Sequence, residues 1–424
     1  MHARVGPLPP PTGYDRSCHR LASLRCAEEL STFPCPSSGS SPQMKTVTMN
    51  RREFLAHLRS IGVVCAVPTL TACDSAKDGD SRATATDADG TGGEDVGSGQ
   101  DDAVSVDDAP ADAGRGDGLP EYAYDGPLGP EDTFAHSVAS GDPLVDAVIV
   151  WTHVRGDEAG DVAVFLEVAT DPEFSSRVAA GEYELDPERG GTLRVDVTEL
   201  SAGTTYYYRF RHRGRTSPVG RTRTLPERTD SVKFGVCSCS NYGFGYFYAY
   251  RQMARRADLD AVLHLGDYIY EYANPGFGPT YGVFRTLEPD NATVTVDDYR
   301  LRYSLYRRDP DLQEVHRQNP MIHVWDDHEF TNDPFVGGAE NHDSDTEGPW
   351  SDRVAAAVRA YDEWMPTRLG AEGRIYREFV FGERVQLIML DRQRRYIWPA
   401  DDDDGLYLGR EQTDWLLDTI ADGS

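Results

Sequence analysis

The stretch VKFGVCSCSNYGFGYFYAYRQMARRADLDAVLHLGDY, residues 232–268, decides the fold. VKFGVCSCS opens as an apolar run, FYAYRQMARRA carries apolar residues at helical spacing, and DAVLHLGDY is a second apolar run. Strand, helix and strand in so short a span make a βαβ unit, whose right-handed crossover lays both strands parallel in one sheet. Both runs change character at their carboxyl ends. The first finishes in Cys237-Ser238-Cys239, the second in Gly266-Asp267 followed by Tyr268, Tyr270, Glu271 and Tyr272. Charge and phenols gathered at the mouth of a buried strand are costly unless they hold something.

Downstream, MIHVWDD (321–327) and VQLIMLD (385–391) are further apolar runs, leading into Trp325-Asp326-Asp327-His328-Glu329 and Leu390-Asp391-Arg392. Helices are expected around residues 298–306 and 353–364. This part of the chain therefore reads as α/β, and its four reactive ends are expected along the carboxyl edge of one parallel sheet, where such folds bind ligands. Thiolate, phenolate, carboxylate and imidazole form a mixed soft and hard donor set, and so dense an anionic cluster calls for a cation. Phenolate and thiolate favour trivalent iron, while the carboxylates suit calcium, magnesium or manganese. Two close metals suit phosphate-ester hydrolysis. Each end alone has a plainer reading: a packed cysteine, a Gly-Asp turn, a solvated Asp-His loop. Four of them in one α/β segment argue against it.

Upstream the pattern differs. AVIVWTHV, VAVFLEVAT, TLRVDVTEL and TYYYRFRHR are short β-type runs with partial alternation, separated by Gly, Asp and Pro, with no helical period between them. They predict a small antiparallel sandwich over residues 130–228. LSAGTTYYYRFRHRGRTSPVGRTRTLP, residues 200–226, is similar to the closing strands of a fibronectin-type module, and its tyrosines read as packing.

The chain has 424 residues, 39% of them hydrophobic, which is enough for two or three ordinary cores. Its net charge of −29, from 71 acidic against 42 basic residues, opposes binding to nucleic acid by charge attraction. An anionic substrate needs a local positive centre, such as a metal or an arginine. No apolar stretch reaches the length of a spanning helix. MNRREFLAHLRSIGVVCAVPTLTAC, residues 49–73, has Arg51-Arg52 before Phe54-Leu55, a short apolar region, and Leu70-Thr71-Ala72-Cys73. This order resembles a twin-arginine export signal joined to a lipoprotein box, which makes Cys73 the lipidated first residue of the mature protein and gives a membrane anchor. The expected location is periplasmic or at the cell surface. Residues 1–48 are rich in Pro, Ser and Cys and read as a non-coding or disordered extension. Residues 74–120 lack large apolar side chains and read as a disordered acidic tether. With the early cysteines outside the mature chain, no disulfide framework is expected.

Three longer stretches carry a specific resemblance. FAHSVASGDPLVDAVIVWTHV (134–154), CSNYGFGYFYAYRQMARRADLDAVLHLGDYIYEY (239–272) and DYRLRYSLYRRDPDLQEVHRQNPMIHVWDDHEFTND (298–333) are similar to PhoD-type alkaline phosphatases of the metallophosphoesterase superfamily. The resemblance implies an α/β catalytic domain over residues 229–424 behind a fibronectin- or immunoglobulin-like all-β sandwich. It implies iron (Fe3+) held by Cys239, Asp267 and Tyr270, with Asp267 bridging to calcium. Asp327 falls at a metal-binding position, His328 at a catalytic one, and Asn332 is a further ligand candidate. Arg353 falls at a phosphate-contacting position, although an arginine there also suits a helix surface. The implied activity is hydrolysis of phosphate monoesters or diesters by a monomer. LDRQRRY, residues 390–396, departs from the family's usual arginine placement, and the family's later Gly-Asp-x-His motif is not found after Asp391. The expectation is therefore an incomplete catalytic domain whose activity is doubtful. The alternative is a catalytically degenerate surface lipoprotein that acts as a binding module.

Overall fold

A computed structural model describes residues 63–66, 118–155, 163–274, 285–393 and 407–422. Residues 1–48, Cys73 and nearly all of the expected tether lie outside the described residues, as does the expected signal apart from Val63–Ala66.

In chain order the strands are β1 (Val63–Ala66), β2 (Val138–Gly141), β3 (Val148–His153), β4 (Val164–Ala169), β5 (Arg177–Tyr183), β6 (Thr192–Val197), β7 (Thr205–His212), β8 (Arg215–Thr216), β9 (Gly220–Arg223), β10 (Phe234–Cys237), β11 (Ala261–His264), β12 (Met321–His323), β13 (Pro334–Phe335), β14 (Gly338–Ala339), β15 (Arg377–Phe381) and β16 (Val385–Met389). The helices are α1 (Tyr248–Ala254), α2 (Val296–Arg307), α3 (Pro310–Gln318), α4 (Ser344–Glu347), α5 (Trp350–Trp364) and α6 (Arg410–Asp422). Local chemistry sets the helix starts. Thr295 and Asp298 form a reciprocal capping box on α2, while Asp309 caps α3 with Pro310 in its first turn.

The central sheet runs β10-β11-β12-β2-β3-β6. β10, β11, β12 and β2 are parallel neighbours, as the β10-α1-β11 crossover requires. β2, β3 and β6 continue antiparallel. The β-rich region is thus joined to the α/β region through one continuous sheet. Its other sheet, β5-β4-β7-β8 with β9 beside β7, shares an apolar core with β2, β3 and β6 built on Val148, Val150, Leu166, Tyr208 and Phe210. Strict alternation along β7 buries Tyr206, Tyr208 and Phe210, so tyrosines of this run do pack a core.

Two details depart from the sequence reading. Among the described residues β10 is an edge strand rather than a buried one, paired with β11 alone, and its Val236 is 53% exposed. β16 does not join the parallel sheet. Only Gly382, Glu383 and Arg384 separate it from β15, too few residues for a parallel crossover, so the two form an antiparallel hairpin in a separate sheet, β1-β16-β15. Among the described residues no helix is long and apolar enough to cross a membrane.

Candidate metal centre

The carboxyl ends of β10, β11 and β12 are tied by backbone hydrogen bonds. Leu265 N–H donates to Cys237 O at 2.9 Å, Cys239 N–H to Gly266 O at 3.2 Å, Ser240 N–H to Asp267 O at 2.8 Å, and Val324 N–H to His264 O at 3.0 Å. Gly266 has φ +98°, and a Cβ on it would lie 2.5 Å from the Asp326 nitrogen, so only glycine lets these loops approach. Cys239 (φ 60°) and Asp267 (φ 53°) are non-glycine residues in the left-handed region, a strain that a surrounding site must hold in place.

Side chains converge here. Asp267, Asp327 and His328 each offer a donor atom, and these atoms lie within 4.8 Å of one another. The Cys239 thiol and the Tyr270 hydroxyl both reach Asp267 Oδ2, at 3.5 and 3.1 Å. Asp267 Oδ1 is buried and meets no hydrogen-bond donor among the described residues. Desolvation, with Asp327 and Asp326 adding to it against His328, pushes the Asp267 carboxyl up to about 6. Desolvation of the sulfur, with Asp267 beside it, holds the Cys239 thiol up at about 11, although the residue as a whole is exposed. Desolvation and then Asp267 raise the Tyr270 phenol far above its ordinary value. Soft sulfur, phenol oxygen, clustered carboxylates and one orphaned buried oxygen fit a cation, and a cation reverses each of these shifts.

His328 is positioned by a residue the sequence reading left without a role. Its Nδ1 donates to Glu271 Oε2 at 2.8 Å, and Glu271 is fully buried. Burial would lower the imidazole, but the Glu271 hydrogen bond and the Asp327 and Asp267 charges outweigh it and lift His328 to about 9. Glu271 also accepts from Thr331 Oγ1, Asn332 N–H and Asn341 Nδ2. Glu329 is a second such residue: buried, it accepts from the backbone N–H groups of Asp267, Tyr268 and Asp326 and so fixes the strand ends. The signal for Glu271 was present as a single carboxylate within a run of tyrosines, but its partner lies 57 residues away in sequence.

The remaining expected residues lie further out. Asn332 directs its amide to Asp333 and Glu340. Arg353 is buried on α5, donates to Asn341 O at 2.8 Å and pairs with Glu347 at 3.1 Å. Its Nη2 has no partner among the described residues. Asp391, beyond β16, reaches the site region by accepting from Trp325 Nε1 at 2.9 Å, and Arg392 lies 3.6 Å from Asp326. The fourth reactive end thus converges through side chains, not through sheet neighbours.

Comparison with known proteins accounts for both regions. Residues 234–424 match the PhoD-like phosphatase family and residues 125–226 match the PhoD-like phosphatase N-terminal domain. The chain is 34% identical over 316 residues to alkaline phosphatase D of Bacillus subtilis (strain 168), covering 68% of this chain and 53% of that protein. A solved structure of PhoD superposes with a TM-score of 0.62 at 34% identity, covering 70% of this chain and 61% of that one. The chain therefore spans about half the length of the curated relative it matches. With the β-rich region and the α/β region each matched to successive parts of one family, the chain belongs to the PhoD-like phosphatases.

Proposed function

We propose that this chain carries the ligand cluster of a metal-dependent hydrolase of phosphate monoesters and diesters. The observation that carries the reading is the buried, unpaired oxygen of Asp267 set among Asp327, His328, Cys239 and Tyr270 in a member of this family. Cys239, Asp267 and Tyr270 are assigned to iron(III), Asp267 also to calcium, and Asp327 to metal binding, with Asn332 as a further candidate. Bound there, the metals supply positive charge to the phosphoryl oxygens and activate water.

The chain's own groups do the rest. Glu271 fixes His328 by its Nδ1, leaving Nε2 to hold or deliver a proton at the leaving oxygen. Glu329 anchors three backbone N–H groups and so keeps Asp267 in its left-handed conformation. Arg353, with Nη1 occupied and Nη2 unpaired, is assigned to a phosphoryl oxygen.

The same reading assigns 49–73 to twin-arginine export, Cys73 to a lipid anchor, 74–120 to a tether, 130–228 to a fibronectin- or immunoglobulin-like sandwich and 229–424 to the catalytic domain, in a monomer. Metal analysis and phosphate release from one monoester and one diester, side by side with calcium present, test the function. Iron with hydrolysis is expected, and Cys239→Ala should lose both the iron and its colour. A protein with neither iron nor hydrolysis would leave only the binding-module alternative.

A further inference from the structure

A second polar cluster, of opposite charge, lies where the β-rich region meets α2 and α3. Arg307 ends α2, is 1% exposed, and holds its guanidinium carbon 4.1 Å from the centre of the Trp151 ring on β3. None of its three guanidinium nitrogens finds an acceptor among the described residues. Asp309, the carboxylate two residues on, is taken by Arg285 and by the α3 N-cap. The Tyr268 phenol lies close enough to interact with the guanidinium, but it bonds His316 Nε2 at 2.9 Å and, being neutral, does not balance the charge.

The neighbours are donors or neutral groups. Tyr208 on β7 and His316 and His323 on α3 and β12 all respond to the Arg307 charge, after burial itself. Tyr303 stands one turn before Arg307 on the same face of α2. Among the described residues the Tyr303 hydroxyl and His316 Nδ1 are buried without hydrogen-bond partners, and the Tyr208 hydroxyl has only Ser140 near it. Burial holds both histidines well below their ordinary value, so neither adds a charge of its own near neutral pH.

A guanidinium does not shed its proton in a protein, and an isolated buried charge is among the costliest features a fold can carry. Removal of one charge's partner leaves the other strongly destabilising, so a native interior with Arg307 alone is not a stable arrangement. Water would satisfy the N–H groups without neutralising them. We propose that Arg307 binds a buried halide-class anion, chloride in size and charge, between β3, β7, α2, α3 and β12. A monatomic ion suits the enclosure, since Trp151, Tyr208, Tyr303, His316 and His323 are each at most 1% exposed. The ion acts as a structural pin between the β-rich region and the strands that carry the metal ligands, and it does not depend on the proposed hydrolysis.

The test is urea unfolding of the full chain at constant ionic strength, with sodium chloride exchanged for sodium gluconate. Above the dissociation constant, the unfolding equilibrium constant should fall about tenfold for each tenfold rise in chloride. Arg307→Met should abolish that dependence, and Tyr303→Phe should weaken it. Crystals grown in bromide should show an anomalous peak beside Arg307. If Arg307→Met does not fold, the chloride titration and the bromide peak on the unaltered chain still decide. Unfolding that ignores the anion, with no bromide peak, would mean that water alone solvates the guanidinium and would overturn the proposal. Dependence on phosphate but not chloride would overturn the halide class.

Discussion

The chain uses the dipeptide Gly-Asp twice at the carboxyl end of a strand of the central sheet, with opposite outcomes. Gly141-Asp142 closes β2 and Gly266-Asp267 follows β11. Both glycines sit where a Cβ would strike backbone, at 2.6 Å from Met321 O and 2.5 Å from Asp326 N respectively. Both aspartates have positive φ, 43° and 53°, and both are buried. Asp142 is electrostatically complete: Arg377 grips it by Nη2 at 2.6 Å and Nε at 2.7 Å, and Arg368 N–H donates at 2.7 Å. Asp267 faces Asp326 and Asp327, with one oxygen unpaired among the described residues. The dipeptide and the left-handed aspartate are shared, while the glycines differ, Gly266 at φ +98° and Gly141 with no positive φ; the surrounding charge separates the two carboxylates, one of which ties the fold together while the other, on the proposed function, faces a cation.

Exchanging the roles by mutation is the strongest attempt to break that comparison. On the proposed function, Asp267→Asn, which keeps the shape and removes the charge, should lower phosphate release by about a thousandfold, the several kcal/mol that metal chemistry would supply. Its urea midpoint should hold or rise, because a carboxylate crowded by like charges is gone. Asp142→Ala should do the reverse: stability falls by about 3–5 kcal/mol as Arg377 loses its partner, while metal bound per folded molecule is unchanged. An Asp267→Asn enzyme that still binds metal and turns over would remove the distinction.

Glu271→Gln sharpens it at smaller scale. The amide still reaches His328, but no longer supports the charged imidazole or fixes its tautomer. On the proposed function, activity should fall about 10–100-fold, mainly in kcat, with metal content retained. A loss confined to KM would assign Glu271 to substrate binding and not to the histidine.

Much of this was legible in the sequence because apolar runs with abrupt reactive ends survive any detail of packing. Cys239, Asp267, Tyr270, Asp327 and His328 were all nameable from the chain, and they do meet. Three things were not legible. The continuity of β12 with β2 rests on one long-range strand pairing, which no local periodicity encodes. The role of Glu271 rests on a partner in another loop. Asn332 and Arg353 lie further out, the Asn332 amide held by Glu340 and one Arg353 nitrogen by Glu347, and position along the chain says nothing of such local competition.

Histidine repeats the lesson and gives the smallest predicted effect. His328 is lifted because acids surround it, whereas His136 and His153 pair with each other, Nδ1 to Nδ1 at 3.1 Å, with His136 Nε2 on Ser304 and His153 stacked on Trp364. Burial first, and for His136 the neighbouring His153, Arg307 and Arg308 charges, hold them down at about 2 and about 4. Both values lie below the ordinary histidine value of about 6.5, so the unfolded chain binds these protons more readily. Their contribution to stability is complete above about pH 6.5 and is lost as pH falls below it toward the folded values. For His153 alone the loss between pH 7 and pH 5.5 is about 1 kcal/mol. Urea unfolding of His153→Phe at the two pH values should therefore show a smaller pH dependence by that amount, whatever its absolute stability. An unchanged dependence would mean that the pair opens to water and that the β-rich region is less closed around it than these contacts require.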